Sequence, residues 1–181
     1  MLLQRLFQDP PVLFAFEIDR RFVTGVRRDP KTLEVVTRAY CALDVGVIEP
    51  SSGKPNVQQP AVLAQAVSQV LAEIGPTKRP DAALILPDAS SRMTVLDFDH
   101  FPSDEKECLQ LIRFRLKKTV PFDVQNALVA YQAWKVKSRF SVLVATTPVE
   151  IIDQYEQALK SVGLQPGYVV LSTVAALNLM S

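Results

Sequence analysis

The only histidine of the chain, His100, stands in "DFDHFP" beside Asp97 and Asp99. Three oxygen and nitrogen donors within four residues are the kind of set that takes a divalent cation. Strand alternation works against it, because Asp97 and Asp99 fall on one face and His100 on the other. No second histidine and no CxxC completes a cage, so the stretch reads as a solvated strand end and no metal is expected. A serine nucleophile served by His100 would have to come from "DASSR", Asp88 to Arg92. That stretch lacks the glycine-flanked elbow that exposes a hydrolase serine, and Ser90 and Ser91 are explained as turn residues. Cys41 and Cys108 each lie in an apolar periodic segment and read as small buried hydrophobes in a reducing compartment.

Phosphate chemistry has as little support. The six glycines stand at positions 25, 46, 53, 75, 163 and 167, and no two lie close enough after a strand to build a GxGxxG turn or a Walker loop. One basic run is marked: Arg113, Arg115, Lys117 and Lys118. A formal net charge of +1 and the absence of a wider basic stripe exclude nucleic acid as the natural partner. Helical spacing puts Arg113 and Lys117 on one face, with Phe114 and Lys118 beside them. Either this is a solvated helix end whose cations complement the helix dipole, or it is a face that meets a protein.

These residues sit in an alternation of strands and helices. Val12 to Ile18 and Phe22 to Arg28 read as strands joined by a tight turn at Asp19-Arg20-Arg21, and "RDPKT" turns the chain into a third antiparallel strand, Leu33 to Leu43. "EPSSGKPNVQQP" (Glu49 to Pro60) is the most linker-like segment. Pro60 suits a first helical position, followed at helical spacing by Leu63, Ala66, Val67, Val70, Leu71 and Ile74, with Gly75-Pro76 as the stop. "AALILP" (Ala82 to Pro87) is a buried central strand.

A β-α-β-β-α pattern comes next. Arg92 to Phe98 is a strand, Ser103 an N-cap before the acidic first turns at Asp104, Glu105 and Glu107, and two strands form a hairpin about Lys137-Ser138. Pro121 ends the basic helix by pushing Val120 out of the α region, and Phe122 is the apolar latch into the next strand. Thr147 and Glu150 form a capping box with Pro148 at the first helical position and Gly163 at the close. The stripe Ile151, Ile152, Tyr155, Leu159 and Val162 faces the core. A last apolar strand leads to a helix capped by Ser172 or Thr173, whose abrupt end at Ser181 raises the expectation of a piece of something longer.

No run of about 18 apolar residues is present. "MLLQRLFQDPP" lacks the continuous apolar region of a signal peptide and reads as a terminal helix packing on its own domain. The expectation is a cytosolic, soluble chain of one core or two small lobes sharing a sheet.

The ordered set Leu86-Pro87, Phe101-Pro102, Asp104 to Glu107, Val120-Pro121-Phe122 and Ala130-Tyr131-Gln132 resembles the inserted subdomain of PilM, the actin-like protein of type IV pilus assembly. "SVLVATTPVEIIDQYEQALKSVGLQPGYVVLSTVAALNLM" is similar to the passage in which that family's chain returns to its first lobe. The resemblance runs from about Ala82 to Met180, and it extends to FtsA and the cytoplasmic domain of GspL.

It implies an α/β fold with a mixed sheet, an actin-like or ribonuclease H-like lobe carrying an inserted FtsA/PilM-type subdomain, N-terminal half only. Residues 1–87 would be the first part of the lobe, 88–165 the insertion and 166–181 a truncated return. The implied function is that of a cytoplasmic scaffold at the inner face of the inner membrane. A groove would hold the short tail of a PilN-like membrane protein, with Pro87, Arg92, Arg113, Phe114, Lys117 and Phe122 lining or flanking it.

The departure from the family lies in "AFEIDRRFVTGV", where Glu17 and Asp19 stand in place of the expected Asp and Gly of the first phosphate loop. The second phosphate loop and the adenosine motif would fall beyond residue 181. No cofactor and no catalysis are therefore expected. The alternatives are a GspL-like domain that docks a pilus or secretion ATPase, and half of an actin-like ATPase. Half of such a fold leaves apolar surface uncovered, which adds a homodimer to the expected partners.

Overall fold

The computed structural model describes residues 12–75 and 81–178; the expected N-terminal helix and Pro76 lie outside the described residues. The chain forms two compact units. Among the described residues one is contiguous, Ser91–Val149, and the other is built from what flanks it, residues 12–75, 81–90 and 150–178. The sequence reading set the insertion at 88–165, whereas the helix that follows residue 149 groups with the flanking unit.

The flanking unit is a mixed five-stranded sheet. Strands β1 (Phe14–Ile18), β2 (Phe22–Arg28) and β3 (Val35–Ala42) run antiparallel as a meander; β4 (Asp81–Leu86) and β8 (Gln165–Leu171) continue it in parallel, in the order β3-β2-β1-β4-β8. Strand β3 starts later than the sequence implied. The Asp29 carboxylate accepts from the backbone N–H groups of Lys31 and Thr32, and Leu33 completes that turn at a φ of 61° instead of opening the strand. Period-two burial puts Phe14, Phe16 and Ile18 of β1 and Ala82, Leu84 and Leu86 of β4 on one face.

Helix α1 (Pro60–Ile74) lies on that face, burying Leu63, Ala66, Val67, Val70 and Ile74. The approach is close because Gly25 of β2 has no side chain. A Cβ there would overlap Val70 Cγ1 and come within 3.2 Å of Ile74 Cδ1 and Phe16 Cε1. Burial of each large aliphatic side chain is worth about 1.5–3 kcal/mol, so the glycine stabilises through what it lets others bury.

The segment expected to be a linker is structural. Within it Val57 is buried and bridges Ile48 just before the segment, and Asn56 is fully inaccessible. Helix α3 (Val149–Lys160) starts one position later than the capping-box reading required. Pro148 ends strand β7 (Arg139–Pro148), and the Thr147 hydroxyl is paired with Ser91 Oγ at 2.8 Å. Its buried stripe is Ile151, Ile152, Tyr155, Ala158 and Leu159, with Val162 half-buried, and Gly163 closes it at a φ of 83°. Helix α4 (Ser172–Asn178) begins directly after β8.

The contiguous unit packs helix α2 (Glu105–Leu116) on a three-stranded antiparallel sheet ordered β5 (Arg92–Phe98), β7, β6 (Ala127–Val136). Its core is Phe98, Ile112, Leu116, Val124, Val142 and Val144. Phe101 sits among Phe98, Tyr131 and Phe140 at centroid distances of 5.3, 5.8 and 6.2 Å. The N-cap of α2 is Asp104, not Ser103. Its carboxylate accepts from the N–H groups of Lys106 and Glu107, which places the acidic charge on the helix dipole itself.

Candidate functional site

Two clusters carry the residues that the sequence singled out. In the flanking unit they gather about the β1–β2 turn and the start of α4. Asp19 and Phe22 close the turn with a 2.9 Å backbone bond, and Asp19 Oδ1 accepts from the Arg21 N–H at 3.2 Å. The N–H that could approach an anion is thus taken by a carboxylate. Glu17, half-buried on β1, accepts from Ser172 Oγ at 2.9 Å. Asp88, just after β4, accepts from the Thr173 backbone N–H at 3.0 Å and from the Thr173 hydroxyl. Three carboxylates therefore belong to the ends of β1 and β4 and the start of α4. Sequence reasoning named Glu17 and Asp19 but missed Asp88 and Ser172 as their companions, because 155 positions separate Ser172 from Glu17.

Beside them lies a buried polar network. Asn56 Nδ2 donates to Ser90 Oγ at 2.7 Å and to Tyr155 OH at 3.2 Å, and the two hydroxyls are 3.2 Å apart. Gln154 Oε1 accepts from the Asn56 and Val57 N–H groups at 2.7 and 2.9 Å. Burial pushes the Tyr155 phenol above its ordinary value, partly offset by the bonds from Ser90 and Asn56. Ser90 and Tyr155, read as turn and core residues, are both; their pairing with Asn56 pins the 44–59 segment to α3. Pro87 is buried at the end of β4.

In the contiguous unit the basic helix end is partly committed. The Arg113 guanidinium donates to the carbonyls of Val124 and Ala127, the latter at 3.1 Å. It holds the 3-10 turn Val124–Asn126 that joins α2 to β6, so the latch expected of Phe122 is shared by Arg113 and buried Val124, with Phe122 half-buried. Arg115 stacks over the Phe98 ring at 5.4 Å. Phe114, at 73% exposure, and Lys117, the C-cap residue, present their side chains to solvent, as does Arg92 at the start of β5. The helix thus offers an apolar ring and an ammonium one turn apart.

Remaining candidates resolve as structure. Asp97 accepts from Ser141 Oγ at 2.6 Å and Asp99 pairs with Arg139 at 2.9 Å, and among the described residues no group of His, Cys, Asp and Glu could hold a metal ion. Cys108 is buried as expected, but Cys41 is half-exposed because β3 is an edge strand. A shallow, open concavity on β2 and β3 is lined by Phe22, Thr24, Arg38, Ala39 and Tyr40.

An antiparallel three-strand meander continued by two parallel strands, with a smaller α+β unit interposed in the chain, is a mixed α/β architecture of the actin-like fold class. Within that class the chain is similar to a chain of the PilM–PilN type IV pilus biogenesis complex. The TM-score is 0.78 at 19% identity, over 94% of this chain and 50% of that one. It is similar also to the cytoplasmic domain of EpsL, an inner membrane component of the type II secretion system of Vibrio cholerae. Here the TM-score is 0.59 at 10% identity, over 90% and 58% of the two chains. The chain thus spans about half the length of both. At these identities the likeness is one of fold. No protein-family model and no curated protein matches the sequence.

Proposed function

We propose that this chain is a non-catalytic scaffold of a type IV pilus assembly machine, working at the cytoplasmic face of the inner membrane and binding the short cytoplasmic tail of a PilN-like membrane protein. The observation that carries the reading is the agreement of fold with a chain of the PilM–PilN complex over 94% of the residues. Two features support it. Among the described residues no helix is long and apolar enough to cross a membrane, as befits a partner of a membrane protein. Where an actin-like ATPase would hold phosphate, Glu17 and Asp19 add negative charge and occupy donors, which speaks for a scaffold that does not hydrolyse ATP.

A tail of this kind binds as an extended segment, main chain to main chain with apolar side chains in pockets. Phe114 and Lys117 are the residues of the basic helix end best placed to meet it, since Arg113 is occupied within its own unit. The test is calorimetric titration of the chain with a synthetic N-terminal peptide of the membrane protein encoded beside it. Saturable one-to-one binding, weakened about tenfold or more by Lys117→Glu, is expected. Absence of heat from a chain shown to be folded by circular dichroism would overturn the proposal.

The likeness to the EpsL cytoplasmic domain favours a second reading, a type II secretion component that docks a secretion ATPase. Co-sedimentation with the purified ATPase, with no response to the tail peptide, would select it.

A further inference from the structure

Four strands of the two sheets have a free edge among the described residues, namely β3, β8, β5 and β6. Three of them carry the devices that keep edges from pairing. In β3 the register slips opposite Arg27/Arg28, leaving Val36 without a partner, and in β8 it slips at Ala82/Ala83, with Pro166 and Gly167 at the irregularity. Strand β5 is shorter, at seven residues, and carries Arg92 and Asp97. Strand β6 has the least of these, a single charge. It runs ten residues, "ALVAYQAWKV", in unbroken register with β7, without proline or glycine and with Lys135 as its one charge.

The face of this sheet away from α2 is also open. Register places Leu128, Ala130, Gln132, Trp134 and Val136 of β6 on it, beside Leu143 and Ala145 of β7 and Met93 and Val95 of β5. Leu128, Val136 and Trp134 remain 54%, 47% and 42% exposed.

We propose that β6 is the interface of a two-fold homodimer, in which the strand pairs antiparallel with β6 of a second copy and joins two three-stranded sheets into one of six. Symmetry fixes the register. A two-fold axis normal to the sheet preserves faces, so paired residue numbers must sum to an even value. A sum of 264, centred on Gln132, pairs the whole of 128–136. On the open face it sets Leu128 against the second copy's Val136, and Ala130 against its Trp134, extending the apolar rows of β7. On the α2 face it sets Tyr131 against the second copy's Ala133 and brings the second copy's Lys135 diagonally next to Tyr131.

Diagonal neighbours of that kind lie about 7–8 Å apart, within reach of a lysine. The Tyr131 hydroxyl lies in the field of Glu105 and Asp104 at the start of α2. The antiparallel arrangement therefore brings the ammonium of one copy to the acidic helix start of the other, twice. A parallel arrangement would set Lys135 on Lys135. Nine paired residues per copy bury of the order of 1,000 Å² in total, the lower bound for a specific contact, so a reversible dimer is the form expected. The inference stands on strand geometry and charge and does not depend on the pilus reading.

Sedimentation of the full 181-residue chain tests it. The chain should run as a dimer at about 100 μM, and K135E should raise the dissociation constant at least tenfold. The charge swap K135E/E105K should restore it. Independently, Q132C in a C41S background places two thiols across the axis, with Cα atoms about 4.5–5.5 Å apart, inside the range that a disulfide spans. Oxidised glutathione should convert it to a covalent dimer, and T94C on β5 should form no covalent dimer. A monomer at every concentration overturns the proposal, as does a dimer that ignores K135E and leaves Q132C uncrosslinked, which would put the contact elsewhere.

Discussion

Ser172 Oγ donates to Glu17 Oε1 at 2.9 Å, joining the first strand of the sheet to the helix that follows its last. With Asp88 taking both the N–H and the hydroxyl of Thr173, the start of α4 is bound by two of the chain's own carboxylates. An incoming phosphate would have to displace one anion and sit beside others. The chain is accordingly expected not to bind MgATP. Calorimetry at nucleotide concentrations up to about 1 mM should give only heats of dilution, whereas a saturable isotherm would show that these carboxylates yield.

Gly25→Ala probes the closest approach of α1 to the sheet. The added methyl meets Val70, Ile74 and Phe16, so the helix must move or side chains must leave their rotamers. A loss of about 1–3 kcal/mol is expected in urea unfolding. An unchanged midpoint would mean that α1 shifts freely.

Arg113→Met keeps the aliphatic stem and removes the donors that hold the carbonyls of Val124 and Ala127. About 1–3 kcal/mol of stability should be lost with it, while Phe114→Ser on the exposed neighbouring position stays within about 0.5 kcal/mol. Equal effects would contradict the division of the basic helix end into structural and free residues.

Asn56→Ala should be as damaging as a core truncation, because it leaves the hydroxyls of Ser90 and Tyr155 with one partner fewer in a site without solvent access. About 1–3 kcal/mol is expected from thermal melts. Asn56→Asp should be worse than Ala, because it places a carboxylate where no solvent reaches.

Alkaline stability follows from the two tyrosines. Burial pushes the phenols of Tyr155 and Tyr131 above 10.0, for Tyr131 with Cys108 as the next cause. Above pH 10 the unfolded chain releases these protons and the folded chain keeps them, so the unfolded state binds fewer and stability falls as pH rises. Below pH 9 the two contribute no slope. Tyr155→Phe should flatten the alkaline limb of a stability–pH curve, and an unaltered limb would assign it to other groups.

Much of the fold was legible because it was written in local chemistry. Strands β2 and β5 and helix α1 fall where alternation, Pro60 and the stripe from Leu63 to Ile74 placed them. Failures came where a local signal had a distant competitor. Thr147 looks like an N-cap until Ser91, 56 positions away, takes its hydroxyl. "EPSSGKPNVQQP" looks like a linker because its composition is polar, yet Asn56 and Val57 are bound by Gln154 of α3. The candidate site was legible by half. Glu17 and Asp19 stand out as departures from a motif, but Ser172 and Asp88 complete their surroundings only through the pairing of β1, β4 and β8. Arg113 was visible as a charge, and its donors are spent inside because carbonyls of a 3-10 turn come within its reach.

The chain interruption of the larger sheet sets an order of events during synthesis. Strands β1 to β4 emerge early, but β4 lacks one of its two neighbours until β8, beginning at Gln165, has left the ribosome. The contiguous unit needs nothing beyond Val149 to complete its three strands and its helix. Its contacts are also closer in sequence, so it closes the shorter loops and is the first part able to fold, while the half-finished sheet waits with an open edge. For that interval the nascent chain holds a folded knot of structure in the middle of an unfinished one, and the residues from 150 onward act as the closing stitch.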